Sequence, residues 1–336
     1  MAKIGILGAG TWGMALTRML AKEGHDTTVW SALAQEVETY STTRRQPNLP
    51  GMVIPDSVQF TGNVQEACSG KDILLFAVPS VFVRSTAKAA APFIPQGQII
   101  VDVAKGIEPD TLLTMTQVIE DELGKGAARL VALSGPTHAE EVAQDLPTTI
   151  VAASKDEDAA LKVQQIFMND VMRVYTNSDV PGVELCGAMK NIMALASGAA
   201  LGLGYGDNTK AALITRGMHE ITTLGIAMGC DVRTFYGLAG IGDLIVTATS
   251  VHSRNNRCGH LIGQGMKPED AVREVGMVVE GINAIPAAMQ LKKKYGISMP
   301  LVDAVDAVVN QGADPKEIVR SLMTRAPKSE LDYRGS

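Results

Sequence analysis

The chain has 336 residues, 46% hydrophobic and 20% charged, and this composition is typical of a folded globular protein rather than a disordered or fibrous one. That length is sufficient for two domains. The net charge of -6 argues against a general surface for nucleic acid or anionic membranes, and it leaves room for a local pocket that binds an anionic metabolite.

Short β-branched runs alternate with longer helical patterns from residue 3 to about residue 180. This alternation predicts a doubly wound, parallel α/β sheet of the Rossmann type, with helices on both faces. The runs that begin at 73 and 99 are apolar almost throughout, as expected for strands that are covered on both sides. The predicted strands are 3–7, 27–30, 73–78, 98–103, 130–133, 149–153 and 172–175.

A glycine cluster, GAGTWG, separates the first predicted strand from a helical pattern. In this context Gly8 permits a tight turn, Gly10 lets the backbone approach a pyrophosphate, and Gly13 allows the helix to pack closely on the strand. The N-terminus of the helix adds unpaired N–H donors and a favourable dipole. The cluster therefore indicates a dinucleotide site, and a purely structural turn is the alternative.

The residues after the second predicted strand do not reveal which dinucleotide is used. The glycine pattern is usually followed, some 20 positions on, by an acidic residue that binds the adenosine ribose. Here Trp30 is followed by Ser31 and Ala32, with neither a carboxylate nor an arginine. Arg44 and Arg45 lie downstream, where they could reach a 2′-phosphate or form a solvated surface. The sequence therefore does not distinguish a site for NAD from a site for NADP.

Two further loops follow predicted strands and carry polar groups. Lys105 comes just after one strand, and Gly135 and Thr137 come after another. Because ligands of open α/β sheets bind beyond the carboxyl ends of the strands, we expect both loops to contribute to the site. The segment AVPS at 77–80 also ends a strand and is expected to form a wall of the cofactor site.

Beyond about residue 175 the β-rich runs give way to helical periodicity, which predicts an all-α second domain. The predicted domains are 1–179, which binds the dinucleotide, and 180–336, which binds substrate and carries the catalytic groups. The apolar stretch 185–205 contains a lysine, an asparagine and several glycines, so we expect a buried helix rather than a membrane span. The predicted helices are 181–202, 207–229, 255–265, 268–275, 281–294, 300–309 and 314–323.

Lys190 is the charged side chain within the apolar stretch 185–205. It could extend its ammonium group to water, or it could lie in a ligand site and act as an acid or base. Gly187, Asn191 and Ala194 lie close to it on a helix, so a ligand could approach that face beside an amide. These neighbours favour the second interpretation.

Two stretches are unusual for a helical domain. GLAGIGDL at 237–244 sets Asp243 in a glycine-rich turn, where an acidic residue is either functional or a helix cap. HSRNNR at 252–257 is either a solvated polar loop or a donor cluster. Ser253, Arg254 and Asn255 together form a set of donors that suits a phosphate monoester.

The cysteines and histidines give no sign of a metal site. The four cysteines are far apart, and no histidine stands at a zinc-ligand spacing. Widely spaced cysteines and an N-terminus without a signal-peptide pattern predict a reduced, cytoplasmic protein that is not inserted in a membrane. The oligomeric state stays open, with a homodimer among the options.

Nine ordered motifs, which span nearly the whole chain, resemble those of the bacterial NAD(P)-dependent glycerol-3-phosphate dehydrogenases. They are GAGTWG at 8–13, LPG at 49–51, AVPS at 77–80, AKGIE at 104–108, LSGPTHAEEVA at 133–143, ELCGAMKN at 184–191, GLAGIGDL at 237–244, HSRNNR at 252–257 and VVEG at 278–281. The resemblance implies a reversible reduction of dihydroxyacetone phosphate to sn-glycerol 3-phosphate, which supplies the backbone of glycerophospholipids.

The resemblance also implies roles for individual residues. Lys190 is similar to the family's proton acceptor, and Lys105 and Asp243 are implied to assist it. The implied substrate-binding residues are Lys105, Gly135, Thr137, Lys190, Asp243, Ser253, Arg254 and Asn255. The implied cofactor-binding residues are Gly8, Gly10, Thr11, Trp12, Gly13, Lys105, Ala139, Arg254, Val278 and Glu280.

The chain departs from the family pattern at a few positions. Many members have serine in place of Thr11 and an aromatic residue in place of His138, and many have arginine or histidine where this chain has Ser31 and Ala32. The last departure removes any automatic inference of NADP use. Two rival functions are a related hydroxy acid or ketoacid reductase, whose substrate carries a carboxylate, and a nicotinamide-binding sensor, which needs no acid–base lysine.

Overall fold

The computed structural model describes residues 1–327 and 329–330, which form two compact units. The first unit comprises Met1–Lys105 and Leu113–Val180, and the second comprises Gly106–Leu112 and the chain from Pro181 onward. Segment Gly106–Leu112, which the sequence places within the first domain, belongs to the second unit because Ile107 is buried in that unit's core. Residues 328 and 331–336 of the predicted second domain lie outside the described residues.

The first unit is built on one sheet with the strand order β3-β2-β1-β4-β5-β6-β7-β8. The order reverses direction between β1 and β4, as it does in doubly wound nucleotide-binding folds. The predicted Rossmann-type architecture is therefore confirmed. The strands are β1 Lys3–Leu7, β2 Asp26–Trp30, β3 Gln59–Thr61, β4 Ile73–Phe76, β5 Gln98–Asp102, β6 Ala128–Ser134, β7 Thr148–Ala153 and β8 Met172–Asn177.

Two features of the sheet differ from the prediction. Strand β3 was not predicted, because three residues are too few to show an alternating pattern. Strands β6 and β7 pair antiparallel, whereas every other neighbouring pair is parallel. A parallel crossover is usually made by a full helix, and the connection between β6 and β7 contains only the four-residue helix Ala139–Val142.

Helices cover both faces of the sheet. Along β4, Ile73 and Leu75 face one apolar cluster, while Leu74 and Phe76 face the other. This arrangement explains why the strand is apolar at every position. The helices of this unit are α1 Thr11–Lys22, α2 Ala34–Thr43, α3 Val64–Cys68, α4 Val83–Ala90, α5 Met115–Leu123, α6 Ala139–Val142 and α7 Glu157–Phe167.

From Val180 onward, the regular elements that the structure describes are helices, as predicted for the second domain. Its helices are α8 Val180–Gly202, α9 Asp207–Ala227, α10 Val232–Phe235, α11 Asp243–Thr249, α12 Arg254–Gly263, α13 Pro268–Val275, α14 Glu280–Tyr295, α15 Pro300–Asn310 and α16 Pro315–Met323. Helices α10 and α11 were not predicted, because the glycines at 237, 240 and 242 interrupt the helical pattern. A wide turn over Leu238–Gly242 leads directly into α11.

Helix α8 runs through the core of the second unit. It is long and apolar enough to cross a membrane, and 78% of its most apolar window is buried inside the protein. Within the described residues, one further candidate joins Val232–Thr249 and Arg254–Gly263 across a 48° bend. Burial of this kind is typical of the core helix of a globular domain, and Leu185, Met189 and Ile192 of α8 are buried in the unit's apolar core.

Helices α8 and α12 approach each other so closely that their backbones touch. A Cβ on Gly198 would lie 1.9 Å from the carbonyl oxygen of Asn256, and a Cβ on Gly259 would lie 2.0 Å from that of Leu195. Neither position has room for a side chain. The glycines in the second half of α8 are therefore packing residues, which bring α12 and its polar N-terminus against the helix that carries Lys190.

Glu220 of α9 is a buried carboxylate at the N-terminus of α15. Its two oxygens accept hydrogen bonds from the backbone N–H groups of Leu301 and Val302, at 2.8 and 3.3 Å. Burial raises the pKa of Glu220 to about 7, and the two backbone hydrogen bonds oppose that rise. The carboxylate joins α9 to α15 and gains or loses its proton near neutral pH.

The raised pKa of Glu220 predicts a specific dependence of stability on pH. Between about pH 4.5 and 7 the folded chain binds the Glu220 proton more tightly than the unfolded chain, so this contribution to the free energy of unfolding falls as pH rises. We expect the difference in free energy of unfolding between wild type and Glu220→Gln to fall by about 2–4 kcal/mol between about pH 5 and about pH 8. Urea unfolding at the two pH values measures it.

The matched control is Glu269→Gln, which neutralises an exposed carboxylate on α13 of the same unit. We expect it to follow the wild-type pH profile. A constant difference between Glu220→Gln and wild type at both pH values would contradict the raised pKa.

Candidate active site

The glycine loop meets the requirements of the dinucleotide fingerprint, and two of its glycines are needed for packing. Gly8 has a φ of +119°, and a Cβ there would lie 2.7 Å from the carbonyl oxygen of Ala77, in the segment after β4. A Cβ on Gly13 would lie 2.7 Å from the carbonyl oxygen of Gly8. These two positions therefore hold β1, α1 and the segment after β4 in close contact.

Gly10 differs from its neighbours because the space around it is open. A Cβ at this position would have no heavy atom within 4 Å, and its backbone lies in the extended region that any residue can adopt. Gly10 is also the N-cap of α1, and no side chain caps the helix there. The open space and the uncapped N–H groups of the first turn fit a pyrophosphate.

Lys105, Gly135 and Thr137 come together beyond the carboxyl ends of β5 and β6. The Lys105 Nζ donates to the carbonyl oxygen of Gly135 at 3.1 Å and to Thr137 Oγ1 at 3.3 Å. The Thr137 hydroxyl donates in turn to the Gly135 carbonyl, at 3.0 Å. β5 and β6 are parallel neighbours, so the topology brings the two predicted loops to one edge of the sheet.

Lys190 does not extend to water. Its side chain is 7% exposed, and its Nζ lies 2.8 Å from Oδ1 of Asp243, whose side chain is 1% exposed. The Lys190 Nζ also donates to Thr247 Oγ1 at 2.5 Å, and the Thr247 hydroxyl donates to the Asp243 carbonyl oxygen at 2.7 Å. A buried ammonium group thus has a carboxylate and a hydroxyl as partners, which satisfies its charge.

Asn255 connects three helices. Its Nδ2 donates to Oδ1 of Asn191, next to Lys190 on α8, at 3.0 Å. Its Oδ1 accepts from the backbone N–H of Gly281, at the start of α14, at 2.8 Å. The side chain of Asn255 is buried, so the structure rejects a solvated loop at this position and finds an amide that links α12 to α8 and α14.

The remaining predicted site residues occupy the ends of elements. Ser253 is the buried N-cap of α12, where its Oγ accepts from the N–H of Asn256 at 3.2 Å. Arg254 and Glu280 are the first residues of α12 and α14, and Val278 precedes α14. Thr11 and Trp12 open α1, and the partly buried Trp12 packs on the core. Ala139 opens α6 and is buried.

Two residues near these groups are not indicated by the sequence patterns. Thr247 stands four residues after Asp243 on α11, so the two share a helix face, whereas the glycine-rich stretch predicts a turn there. Glu36 lies in the first turn of α2, and its carboxylate accepts a hydrogen bond from the Ser31 hydroxyl at 2.5 Å. An acidic side chain from α2 is therefore held against Ser31, the residue that follows β2.

Comparison with known proteins decides the family. The model for the N-terminus of NAD-dependent glycerol-3-phosphate dehydrogenase matches residues 3–160, and the model for its C-terminus matches residues 179–320. The chain belongs to this dehydrogenase family. Both halves match, so the assignment covers the dinucleotide-binding sheet as well as the helical unit of this dehydrogenase.

Individual relatives agree with the family assignment. A protein of Lactobacillus delbrueckii subsp. bulgaricus named glycerol-3-phosphate dehydrogenase [NAD(P)+] 2 is 68% identical over 98% of this chain and 99% of its own. A glycerol-3-phosphate dehydrogenase [NAD(P)+] of Agathobacter rectalis is 51% identical over 98% of both chains. The crystal structure of the glycerol-3-phosphate dehydrogenase of Coxiella burnetii superposes with a TM-score of 0.93 at 34% identity, over 96% of this chain and 99% of that chain.

Alanine is expected to affect cofactor binding at Gly10, which faces open space, and stability at Gly13, which is surrounded by backbone. We expect Gly10→Ala to leave the thermal unfolding temperature unchanged, because its Cβ meets open space, and to weaken NADH binding at least about tenfold, because the methyl group crowds the pyrophosphate. We expect Gly13→Ala to destabilise the protein by about 1–3 kcal/mol, because its Cβ overlaps the Gly8 carbonyl. Calorimetry measures both quantities; unchanged NADH affinity in Gly10→Ala would contradict the placement of the pyrophosphate.

Proposed function

We propose that this chain catalyses the NAD(P)-dependent interconversion of sn-glycerol 3-phosphate and dihydroxyacetone phosphate. The observation that carries the proposal is the buried Lys190–Asp243 pair, in a chain that belongs to the dehydrogenase family over both of its halves. The rival ketoacid reductase is not favoured by the family. A nicotinamide sensor has no use for a buried lysine with a carboxylate and a hydroxyl as partners.

The proton-transfer step is assigned to Lys190. A nicotinamide cofactor bound at the glycine loop would supply or accept the hydride that the reaction transfers at C2 of the substrate. In the direction of reduction, the Lys190 ammonium polarises the C2 carbonyl and donates its proton to the oxygen; in the reverse direction the neutral amine accepts the hydroxyl proton. Asp243 and Thr247 hold the Lys190 Nζ in place, at 2.8 and 2.5 Å, and the carboxylate stabilises its charged form.

Substrate binding is assigned to polar groups that match the motifs of the family. We propose that Arg254, the first residue of α12, binds the phosphate together with Ser253 and Asn255. Ser253 is held in place as the N-cap of α12, and Asn255 is held by its hydrogen bond to Asn191. A phosphate anchored in this way converts binding energy into orientation of the reacting carbon. Lys105, with Gly135 and Thr137, is proposed to add a positive charge and polar contacts beyond β5 and β6.

Cofactor binding is assigned first to the glycine loop. The pyrophosphate is proposed to lie against Gly10 and the N–H groups of Thr11 and Trp12, with Gly8 and Gly13 shaping the loop. Further contacts are assigned to Lys105, Ala139, Arg254, Val278 and Glu280 by their match to the family motifs. On this basis we propose that the sheet-containing unit, Met1–Lys105 and Leu113–Val180, binds the dinucleotide, and that the helical unit binds substrate and carries the catalytic groups.

A cytoplasmic location is proposed from the chain's chemistry. None of the four cysteines forms a disulfide in the described part of the chain, as is usual in a reducing compartment, and α8 is a core helix. In that location the product would supply the backbone of glycerophospholipids.

A homodimer is the oligomeric state proposed for the chain, and sedimentation of the purified protein tests it.

A turnover assay tests the proposed reaction. We expect the purified protein to oxidise the reduced nicotinamide cofactor when dihydroxyacetone phosphate is added, and to show no such oxidation with a 2-ketoacid, because the donor cluster at Ser253–Asn255 suits a phosphate. Lys190→Arg should lower turnover at least about a hundredfold, since the guanidinium keeps its charge beside Asp243 but does not exchange its proton.

Lys293→Arg is the matched control, because it makes the same exchange at an exposed position of α14 in the same unit. It should keep wild-type turnover. Turnover of a 2-ketoacid in place of the phosphate ester would contradict the substrate assignment, and wild-type turnover in Lys190→Arg would contradict the assignment of the proton donor.

A further inference from the structure

The end of β2 holds a carboxylate in a fixed position. The buried Ser31 donates its hydroxyl hydrogen to Glu36 Oε2 at 2.5 Å, and its Oγ accepts from the backbone N–H of Leu33 at 3.1 Å. Ser31 directly follows Trp30, whose carbonyl oxygen accepts from the N–H of Gly8 at 3.0 Å. The Ser31–Glu36 pair therefore lies immediately beside the glycine loop.

This position is where a dinucleotide places its adenosine ribose in a doubly wound sheet. In such folds an acidic side chain at the end of the second strand accepts hydrogen bonds from the ribose hydroxyls, and an arginine there binds the 2′-phosphate of NADP. Glu36 lies in the first turn of α2, where the helix dipole stabilises a negative charge. The charge that the fold holds beside the glycine loop is thus negative.

Arg44 lies at the other end of the same helix. α2 has ten residues and so is about 15 Å long. Beyond its end the Arg44 guanidinium donates to the carbonyl oxygen of Val58 at 2.7 Å and lies 5.5 Å from the ring centre of Phe60. Val58 directly precedes β3, whose first residue, Gln59, pairs with Thr28 of β2, so the carbonyl that Arg44 binds lies before the end of β2 rather than at it.

Arg45 follows Arg44 at that same end of α2 and is exposed. From the sequence alone, the two arginines could bind a 2′-phosphate or form a solvated surface. Arg44 instead contacts the start of β3, and Arg45 lies on the surface beside it. Neither is held at the end of β2.

We propose that Glu36, held in place by Ser31, makes this chain select NAD(H) over NADP(H). This inference rests on the proposed function, because it assumes that a nicotinamide dinucleotide binds at the glycine loop. The Glu36 carboxylate can accept hydrogen bonds from the two ribose hydroxyls of NAD(H). The 2′-phosphate of NADP(H) would bring a second anion against the same carboxylate, and like charges at such a distance repel strongly.

Direct binding of the two reduced cofactors, without substrate, tests the selection. We expect titration calorimetry on the full chain to give an affinity for NADH at least about tenfold higher than that for NADPH, because of the repulsion. Glu36→Gln keeps the size of the side chain and removes its charge, so we expect it to bring the ratio close to one, mainly by tighter NADPH binding. Glu38→Gln removes an exposed charge from the same helix and should leave the ratio unchanged.

Each other outcome has a distinct meaning. Equal or tighter binding of NADPH by the wild type overturns the selection, and weaker NADPH binding in Arg45→Ala would then assign the 2′-phosphate to the arginines. A tenfold NADH preference that survives in Glu36→Gln overturns the role of Glu36. Binding of neither cofactor would overturn the proposed function together with this inference. The wild-type ratio alone tests the selection if Glu36→Gln does not fold.

Discussion

The buried ion pair between Lys190 and Asp243 is the interaction on which the second unit depends. An ammonium group without a partner in this environment would be strongly destabilising, because removal of one partner from a buried pair costs about 3–5 kcal/mol. α11 must therefore begin where Asp243 can reach α8, and Thr247 must follow one turn later. The glycines of α8 then allow α12 to pack at backbone distance, which places Asn255 beside Asn191.

The first unit depends on a steric constraint, because backbone atoms leave no room for side chains at two positions of the glycine loop. Gly8 and Gly13 are surrounded by backbone atoms, whereas Gly10 faces open space beside an uncapped helix. Two glycines of the motif therefore serve packing, and the third is the one that we propose to lie against the pyrophosphate. Ser31 holds the carboxylate of Glu36 beside the same loop, and this carboxylate is the group that we propose to select between the two cofactors.

The sequence predicted what local patterns encode. Apolar runs and helical periodicity were sufficient for the sheet, for most helices and for the glycine loop, and the family motifs indicated the remaining candidate residues. The sequence did not indicate Thr247, because its contact with Lys190 depends on which face of α11 it lies on. It did not indicate Glu36, because the motif spacing does not include the contact of Glu36 with Ser31. Strand β3 was not predicted, because three residues are too few to show an alternating pattern. The antiparallel pairing of β6 and β7 was not predicted, because it depends on the connection between the strands rather than on their composition.

A double-mutant cycle on turnover tests most directly whether Lys190 and Asp243 act as one unit. The cycle compares wild type, Lys190→Met, Asp243→Asn and the double variant, each assayed with dihydroxyacetone phosphate and NADH. If Asp243 acts through Lys190, the double variant will be no slower than Lys190→Met, because the carboxylate has no lysine left to hold. Losses that multiply in the double variant would show that the two residues act independently and would contradict this account.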